Sequence, residues 1–489
     1  MFSNNLLMAA GGATSPNVAA FSYVGATDNT SNLTTYTFTD HAIGDASSDR
    51  IVVVAVAAAG SAGQGVSSMT IGGVSATESV ERVNGDAETT CALYYLAVSS
   101  GTTATIVVTL ARGALECGIA VWAVTGSSPV PTDTGSNYWT NATNPSTSYD
   151  ITIPALGICL STACSKNGTA SYTWTNVNEN FDTLIDSSTT YTGASIAYDT
   201  LQTEITIGLA MASGASNKGS VVGLAFGPLE YIDVEYLIIG GGGGASSDYG
   251  GGGGAGGYVG GEATLIVTKG YSVTVGAGGA GGSGTSLGSN GSDSVFNSVT
   301  AYGGGRSGNE SGGDQNGDDG GSGGGSGYNG TGGSATAGQG YAGGSSSAGA
   351  PNYVSAGGGG AGAAGGSPGA GASVAGAGGD GLNTHSGWAS ATSTGDGGYY
   401  AGGGGGGPGD GGSGNDGGAG GGGNYNGAGA ANTGGGGGSG GGNETTGKSG
   451  GSGIVIIRYS GATQGSGGTI VESGGYTYHT FTSSGTFTA

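Results

Sequence analysis

Charge is what this chain has least of. Of its 489 residues 8% are charged, with 9 lysines and arginines against 32 aspartates and glutamates and a net charge of −23. About 25% charged residues is usual. So few cations make a poor partner for phosphate backbones, and no nucleic-acid binding is expected. Disorder driven by charge needs many charged residues, which are missing. Proline is scarce at 9, and uninterrupted glycine runs such as 402–407 break any triplet period. Both facts exclude collagen, which needs glycine at every third position and abundant proline. The longest apolar run, around 51–59, is too short to cross a bilayer, so no membrane insertion is expected.

Cysteine is limited to Cys91, Cys117, Cys159 and Cys164, all in the first third of the chain. Residues 1–10 carry no positive stretch and only a short apolar one at 6–10, so no signal peptide is read there. Synthesis in a cytoplasm without export and reduced, buried thiols are the expectation. Cys159 and Cys164 are not followed by a histidine pair, and His41, His385 and His479 are scattered. No metal site and no cofactor are expected.

Glycine is what the chain has in excess: 121 residues, about a quarter of the chain against a usual 7% or so. Most of it follows residue 230. Before that point the chain reads as short β-branched and aromatic runs, including 50–57, 90–98, 105–110, 118–124, 158–162 and 221–226. Turn signals such as Asn84-Gly85, Ser100-Gly101 and Asn167-Gly168 separate them. The stretch 69–76 reads as a hairpin closed by Gly72-Gly73. No helical periodicity is sustained. These runs suit one β-sandwich over 18–229, behind an N-terminal tail of 1–17. Runs 51–56 and 119–124 are apolar on both alternations, as expected of strands covered on both faces.

The second part opens on Val234-Glu235-Tyr236-Leu237-Ile238-Ile239 and closes on Ile454-Val455-Ile456-Ile457-Arg458-Tyr459. Two readings of the glycine between them compete. One is a flexible linker, with an end-to-end distance on the order of 80 Å. The other is a packed stack of three-fold extended helices, whose amides bond sideways because glycine lets the chains approach. The bracketing strands and interspersed tyrosines favour packing.

The order of landmarks is Val234–Ile239 then polyglycine, Gly256-Gly257-Tyr258-Val259, Tyr271-Ser272-Val273-Thr274-Val275, Thr300-Ala301-Tyr302-Gly303-Gly304, Tyr400-Ala401-Gly402, and Gly453 into Tyr459. This order resembles the glycine-rich domain widespread in bacteriophage tail-fibre and virion proteins. The tail-fibre tip adhesins of T-even-like phages carry a related polyglycine-II sandwich. The resemblance implies an all-β chain: an N-terminal β-sandwich, then a polyglycine-II helix sandwich over 230–460 bracketed by strands, with loops at one end that touch a host surface. The segment 461–489 is similar to the strand pair that usually precedes such a domain, here placed after it as a C-terminal hairpin. The first domain also resembles β-sandwich modules of phage structural proteins.

Chemistry-bearing motifs are few. The string Gly442 to Ser449 fits the phosphate-loop pattern, but polyglycine precedes it and a strand follows, so it reads as a polar loop. Asp314-Gln315-Asn316-Gly317-Asp318-Asp319 resembles the start of a calcium loop, yet position six is Asp319 and position twelve is Gly325, so it reads as a solvated acidic turn. No nucleophile elbow occurs, and no catalytic residues or enzyme activity are expected. Recognition falls to isolated aromatics among small residues, as in antibody paratopes. The contact candidates are His385, Trp388, Tyr399, Tyr400, Tyr328, Tyr341, Tyr353 and Tyr425, with Tyr249 beside them. The stretch 382–400 is expected to be the main contact loop. The expected function is a phage tail-fibre adhesin, located on the virion; the alternative is a capsid fibre, head decoration or fibre shaft without a specific receptor. Expected partners are other virion proteins through the N-terminal domain, a host surface glycan or outer-membrane protein, and copies of the chain itself as a trimer.

Overall fold

A computed structural model describes residues 18–489 except 61–64, 85–87, 167–170, 186–188, 199–202, 213–215, 268, 311–313, 349–351, 410–411 and 441–445. The expected tail 1–17 and the turn positions Gly85, Asn167 and Gly168 therefore lie outside the described residues. The chain forms two compact units, one within Thr14–Glu230 and one spanning Tyr231–Ala489.

The first unit begins with β1 (Ala20–Asn29), β2 (Leu33–Ala42), β3 (Ile51–Gly60), β4 (Val66–Ile71), β5 (Val74–Ser75), β6 (Thr77–Val83), β7 (Thr89–Ala97) and β8 (Thr103–Thr125). The Gly72-Gly73 hairpin is present, with φ of 59° and 81° at the two glycines and Ile71 paired to Val74. The runs 105–110 and 118–124 are not two strands but the two ends of β8. The first end pairs with β2 and β4, the second with β1 and β3. The sheet thereby folds over on itself around a core that includes Tyr36, Val54, Met69, Ile106 and Val121.

The second half of the unit has β9 (Asp133–Thr143), β10 (Ser146–Ile153), β11 (Ile158–Lys166), β12 (Ser171–Thr175), β13 (Asn178–Leu184), β14 (Thr189–Ala197), β15 (Thr203–Ala212) and β16 (Ser216–Phe226). Its pairings repeat those of the first half. β10 and β12 flank β15 as β2 and β4 flank the start of β8, and the order β13-β14-β11-β16-β9 matches β6-β7-β3-β8-β1. One sandwich topology thus occurs twice, and the expectation of a single sandwich is refined to a pair. Tyr36 and Tyr149 fill the two cores from corresponding strands. Thr89-Thr90 and Thr189-Thr190 open corresponding strands, and all four are buried.

A third core joins the two five-stranded faces. Ile51, Val53, Ala55 and Ala57 meet Ile158, Leu160, Val222 and Leu224 there, while Val52, Val54, Val56 and Ala58 point into the first sandwich. β3 is buried at every position, which explains its double apolar alternation. Burying a valine or isoleucine contributes about 1.5–3 kcal/mol, so this strand anchors two cores at once. The four cysteines are free and buried. Cys159 and Cys164, an odd number of residues apart on β11, face different cores; they cannot share a metal ion. Burial pushes the Cys159 thiol up to about 12.

Among its described residues the second unit contains β17 (Tyr231–Ile239), β18 (Tyr258–Ile266), β19 (Gly270–Thr274), β20 (Ser294–Phe296), β21 (Val299–Ala301), one short helix α1 (Ser386–Thr392), then β22 (Ile454–Ser460), β23 (Thr469–Ser473), β24 (Tyr476–Phe481) and β25 (Gly485–Thr488). Two antiparallel sheets, β18-β17-β22-β24-β23 and β21-β20-β19-β25, enclose Val234, Ile238, Val273, Phe296, Val455 and Phe487. The bracketing strands β17 and β22 pair directly, Ile239 opposite Ile454. The C-terminal segment is built in: β24 extends one sheet beside β22 and β25 extends the other beside β19.

Between the strands lies the packed state of the glycine. Gly241 and Gly244 donate to Ser292 and Ser289, Gly242 and Ala245 to Gly451 and Lys448, and Gly243 to Gly254, all at 2.8–2.9 Å. Each third residue returns to the same neighbour, and the residues between reach two others. That is the signature of a three-fold extended helix bonded on three sides. The pattern recurs: Gly251, Gly254 and Gly257 donate to Gly308, Gly305 and Tyr302, and Gly447, Gly450 and Gly453 to Gly282, Gly279 and Gly276. Neighbours run both ways, since Gly304 and Ser307 donate in parallel order to Gly241 and Gly244. A Cβ at Gly252 would strike the carbonyl of Gly404, and one at Gly404 that of Gly437.

A methyl group should therefore be intolerable inside the lattice and harmless at its turns. Gly404→Ala should cost on the order of 2–4 kcal/mol, lowering the melting temperature of the second unit by roughly 5–10 °C. At Gly369 an added Cβ meets nothing within 4 Å, and Gly369→Ala should be neutral or raise stability by up to about 1 kcal/mol. Thermal unfolding of both variants decides; equal melting points would refute the lattice.

Candidate functional site

The runs have two ends. β17 leads directly into residues 240–245, and 251–257 lead back into β18. At roughly 3.1 Å per residue, the intervening turn 246–250 stands about 19 Å beyond the strand. Level with it are Gly308, Gly325 and Ala356, which bond to Gly251 and Gly252. The residues that follow or precede these, 327–330, 347–348 and 352–353, thus share this remote end. Turn 424–427 joins them, because Gly405 donates to Gly423 beside the contact of Gly404 with Gly253. The opposite, strand-side end holds 382–400: Ala361 donates to Ala401, Ala401 to Thr433, and Gly256 to Gly434.

At the remote end three tyrosines meet edge to face. Tyr249 and Tyr353 have centroids 6.1 Å apart at 81°, and Tyr328 and Tyr353 are 5.3 Å apart at 85°. Among the described residues, Tyr249 and Tyr353 are the aromatic residues with positive φ, 53° and 44°; Asp248 and Asn329 beside them have 54° and 57°. Such backbone is uncommon for a non-glycine residue. Ser355 ties the two loops together, its hydroxyl donating to the Gly250 carbonyl at 2.7 Å and accepting from the Gly407 amide at 2.9 Å. Tyr425, 37% exposed, caps the neighbouring turn, its amide on the Asn415 carbonyl.

The acidic stretch expected as a solvated turn is instead a lattice run that starts at the same end, with Gly317 donating to Thr331 and Asp318 to Arg306. Arg306 bridges Asp314 and Asp318 at 2.7 and 2.9 Å. The Asn316 side chain accepts from the Thr331 amide, and Asp319 from that of Ser334. Among the described residues no group of three or more histidine, cysteine, aspartate or glutamate side chains is placed to hold a metal. Residues 442–445 of the phosphate-loop string lie outside the described residues. Its end, Gly447 to Ser449, belongs to the lattice run that enters β22, with Gly447 bonded to Gly282, so no helix follows it.

The strand-side end corrects an expectation. Trp388 is 5% exposed and Tyr400 0%, so neither is available for surface contact. The stretch 382–400 is not a free loop: Leu382 and Tyr400 exchange backbone hydrogen bonds, α1 forms between them, and Trp388 and Tyr400 pack on Leu237, Ile456 and Tyr478. The Arg458 guanidinium lies 4.5 Å from the Trp388 ring and 4.2 Å from the Tyr476 ring, and it bonds both Glu235 carboxylate oxygens at 2.9 Å. His385 stands edge-on to Trp388 at 4.6 Å with Nδ1 2.6 Å from the Tyr258 hydroxyl. Burial, then the Arg458 charge, hold its pKa below the ordinary histidine value. Tyr399 is half-buried, its backbone bridged to Asp396. Tyr341 is exposed, its amide bonded to Gly360. The eight candidates thus separate. Tyr328 and Tyr353 meet at the remote end with Tyr425 on the neighbouring turn, His385, Trp388, Tyr399 and Tyr400 gather at the strand side, and Tyr341 stands apart.

Sequence reading gave His479 no role, since nothing marks a lone histidine as buried until β24 is paired on both sides. It is fully buried. Nδ1 is 2.8 Å from the Gly467 carbonyl and Nε2 3.0 Å from the Tyr459 hydroxyl. That hydroxyl also accepts from the amides of Gln464 and Gly465. The arrangement fits a neutral ring that donates from Nδ1 and accepts at Nε2. Burial holds its pKa below the ordinary value.

Residues 220–460 match the model of a family described as a glycine-rich domain. No curated protein and no solved structure gives a match to the chain.

Two outcomes follow from this geometry. Trp388→Ala should cost about 3–5 kcal/mol in the second unit, whereas Tyr425→Ala should stay within about 0.5 kcal/mol; chemical denaturation measures both. His385 and His479 have lowered pKa values in the fold, so below about pH 6.5 the unfolded chain binds more protons than the folded one. Stability should be full above that pH and fall as the pH drops toward the folded pKa values. His479→Gln should flatten the decline in urea titrations between pH 7 and 5, and an unchanged slope would exclude His479 as a source.

Proposed function

We propose that the chain is a non-enzymatic structural protein of a bacteriophage virion, an adhesin of the tail-fibre type that contacts the host cell through loops of its glycine-rich unit. The observation that carries this reading is the remote end of the lattice. Several loops are held there side by side, on runs whose backbones are bonded laterally to their neighbours. Such loops are pre-organised, and pre-organisation lowers the ordering cost of binding. The tyrosines among them supply contact area at small entropic cost. The match of 220–460 to a glycine-rich domain supports the same reading. The net charge of −23 discourages indiscriminate adhesion to bacterial surfaces, which are commonly anionic. The first unit, with its paired sandwiches, serves in this reading to join the chain to the particle.

The test is location and binding together. Antibodies to the chain should label purified particles at the tail end, and fluorescently labelled full chain should bind host cells saturably. Uniform labelling of the capsid would replace this reading with head decoration, and absence from particles would end it.

A further inference from the structure

We propose that Tyr249, Tyr328 and Tyr353 form a stacking site for a neutral saccharide, an inference that rests on the adhesin reading and specifies its ligand. A pyranose ring presents a flat face of C–H groups fringed by hydroxyls. It is complemented by an exposed aromatic face with hydrogen-bonding groups at its edge and no need for charge. The three tyrosines meet edge to face, at 81° and 85°, so they do not close on one another as a parallel stack. Each is part exposed, and Asn329 and Ser347 stand exposed in the same loops.

The rings are held rather than merely present. Tyr249 and Tyr353 sit at φ values of 53° and 44°, and the Ser355 hydroxyl locks the two loops to each other through Gly250. A stacking platform fixed before the ligand arrives loses little on binding.

The charge around the site selects against anionic sugars. Along the glycine-rich runs the described cations are Arg306 and Lys448. Arg306 is committed to Asp314 and Asp318. Asp248 lies next to Tyr249 in the chain, and the amide of Glu310 bonds to its carbonyl. Lys448, whose carbonyl accepts from Ala245, and Arg306 thus stand against Asp248, Glu310, Asp314 and Asp318, so the surroundings are net acidic, which repels carboxylated or phosphorylated glycans and leaves uncharged ones.

The test uses the full chain on immobilised neutral polysaccharides (a glucan, a mannan and a galactan) and on polygalacturonate as the anionic control. Retention is expected on at least one neutral surface and not on the control. Tyr353→Ala and Tyr328→Ala should each weaken it at least tenfold, with thermal unfolding confirming that both fold. Tyr353→Phe, which keeps the ring face, should stay within about twofold, and Tyr341→Ala should not differ from the parent. Retention on none of the neutral surfaces, or equal retention by the alanine variants, overturns the site. Cell binding by labelled chain that survives periodate oxidation of the cells but is lost on protease treatment also overturns it, while leaving the adhesin reading intact. Loss of all cell binding by the parent chain would instead overturn the adhesin reading itself.

Discussion

An amide in the second unit can reach a carbonyl on a neighbouring run only because no Cβ stands between them. Where a methyl group is placed at Gly243, Gly252 or Gly436, it meets the backbone of the next run. Glycine is therefore not filler there but the condition for lateral hydrogen bonding. The cost is the large conformational entropy that each glycine loses on ordering, roughly 0.5–1 kcal/mol more than alanine. Satisfied amides offset it, since a buried unpaired backbone group costs about 1–3 kcal/mol. The scarcity of charge follows from the same constraint: runs this close have no space between them for a lysine or glutamate stem.

Among the described residues the lattice has only a small apolar cluster of its own, Ala348, Val354 and Ala375, so its edges need other means of closure. On the strand side the means are hydrophobic. β17 and β22 pair across the whole glycine segment, α1 lays Trp388 over the sheet, and the C-terminal strands complete both sheets. At the remote end they are polar. Ser246 donates twice to Ser307, its amide to the hydroxyl and its hydroxyl to the carbonyl, Ser355 joins two loops, and Arg306 clamps two aspartates. Serine suits these positions because its hydroxyl stands in for the amide or carbonyl that a lattice neighbour no longer supplies.

Much of this was legible in the sequence, for identifiable reasons. The double apolar alternation of 51–56 announced a strand covered on both faces. The strands around the glycine announced a segment whose ends meet. Other features were not legible. The doubled sandwich is hidden because its two halves share topology while their side chains differ: the valine-rich β3 corresponds to β11, where serine, threonine and cysteine fill the same faces. The continuity of β8 through Arg112 and Gly113 is set by pairing partners that change along its length, which no local pattern records. Trp388 and Tyr400 read as contact residues because they occur singly among small residues. Their burial depends on β22 and β24, which lie more than fifty residues further along the chain. Tyr328 and Tyr353 read the same way and do meet at a loop end; what separates the two cases is the register of the lattice.

That register also separates the residues that carry stability from those to which recognition is here proposed to fall. A loop at the remote end joins two runs, each already fixed by bonds to several neighbours, so a change within the loop need not propagate into the lattice. On the strand side the reverse holds. His385, Trp388, Tyr258, Arg458 and Glu235 form one contact network, and altering any of them disturbs the packing of α1 on the sheet. A surface free to vary is useful for recognition only if its supports do not move, and here the supports are backbone rather than side chain. In the proposed reading, substitution at the remote loops can therefore change what is bound while the hydrogen bonds that position those loops stay the same.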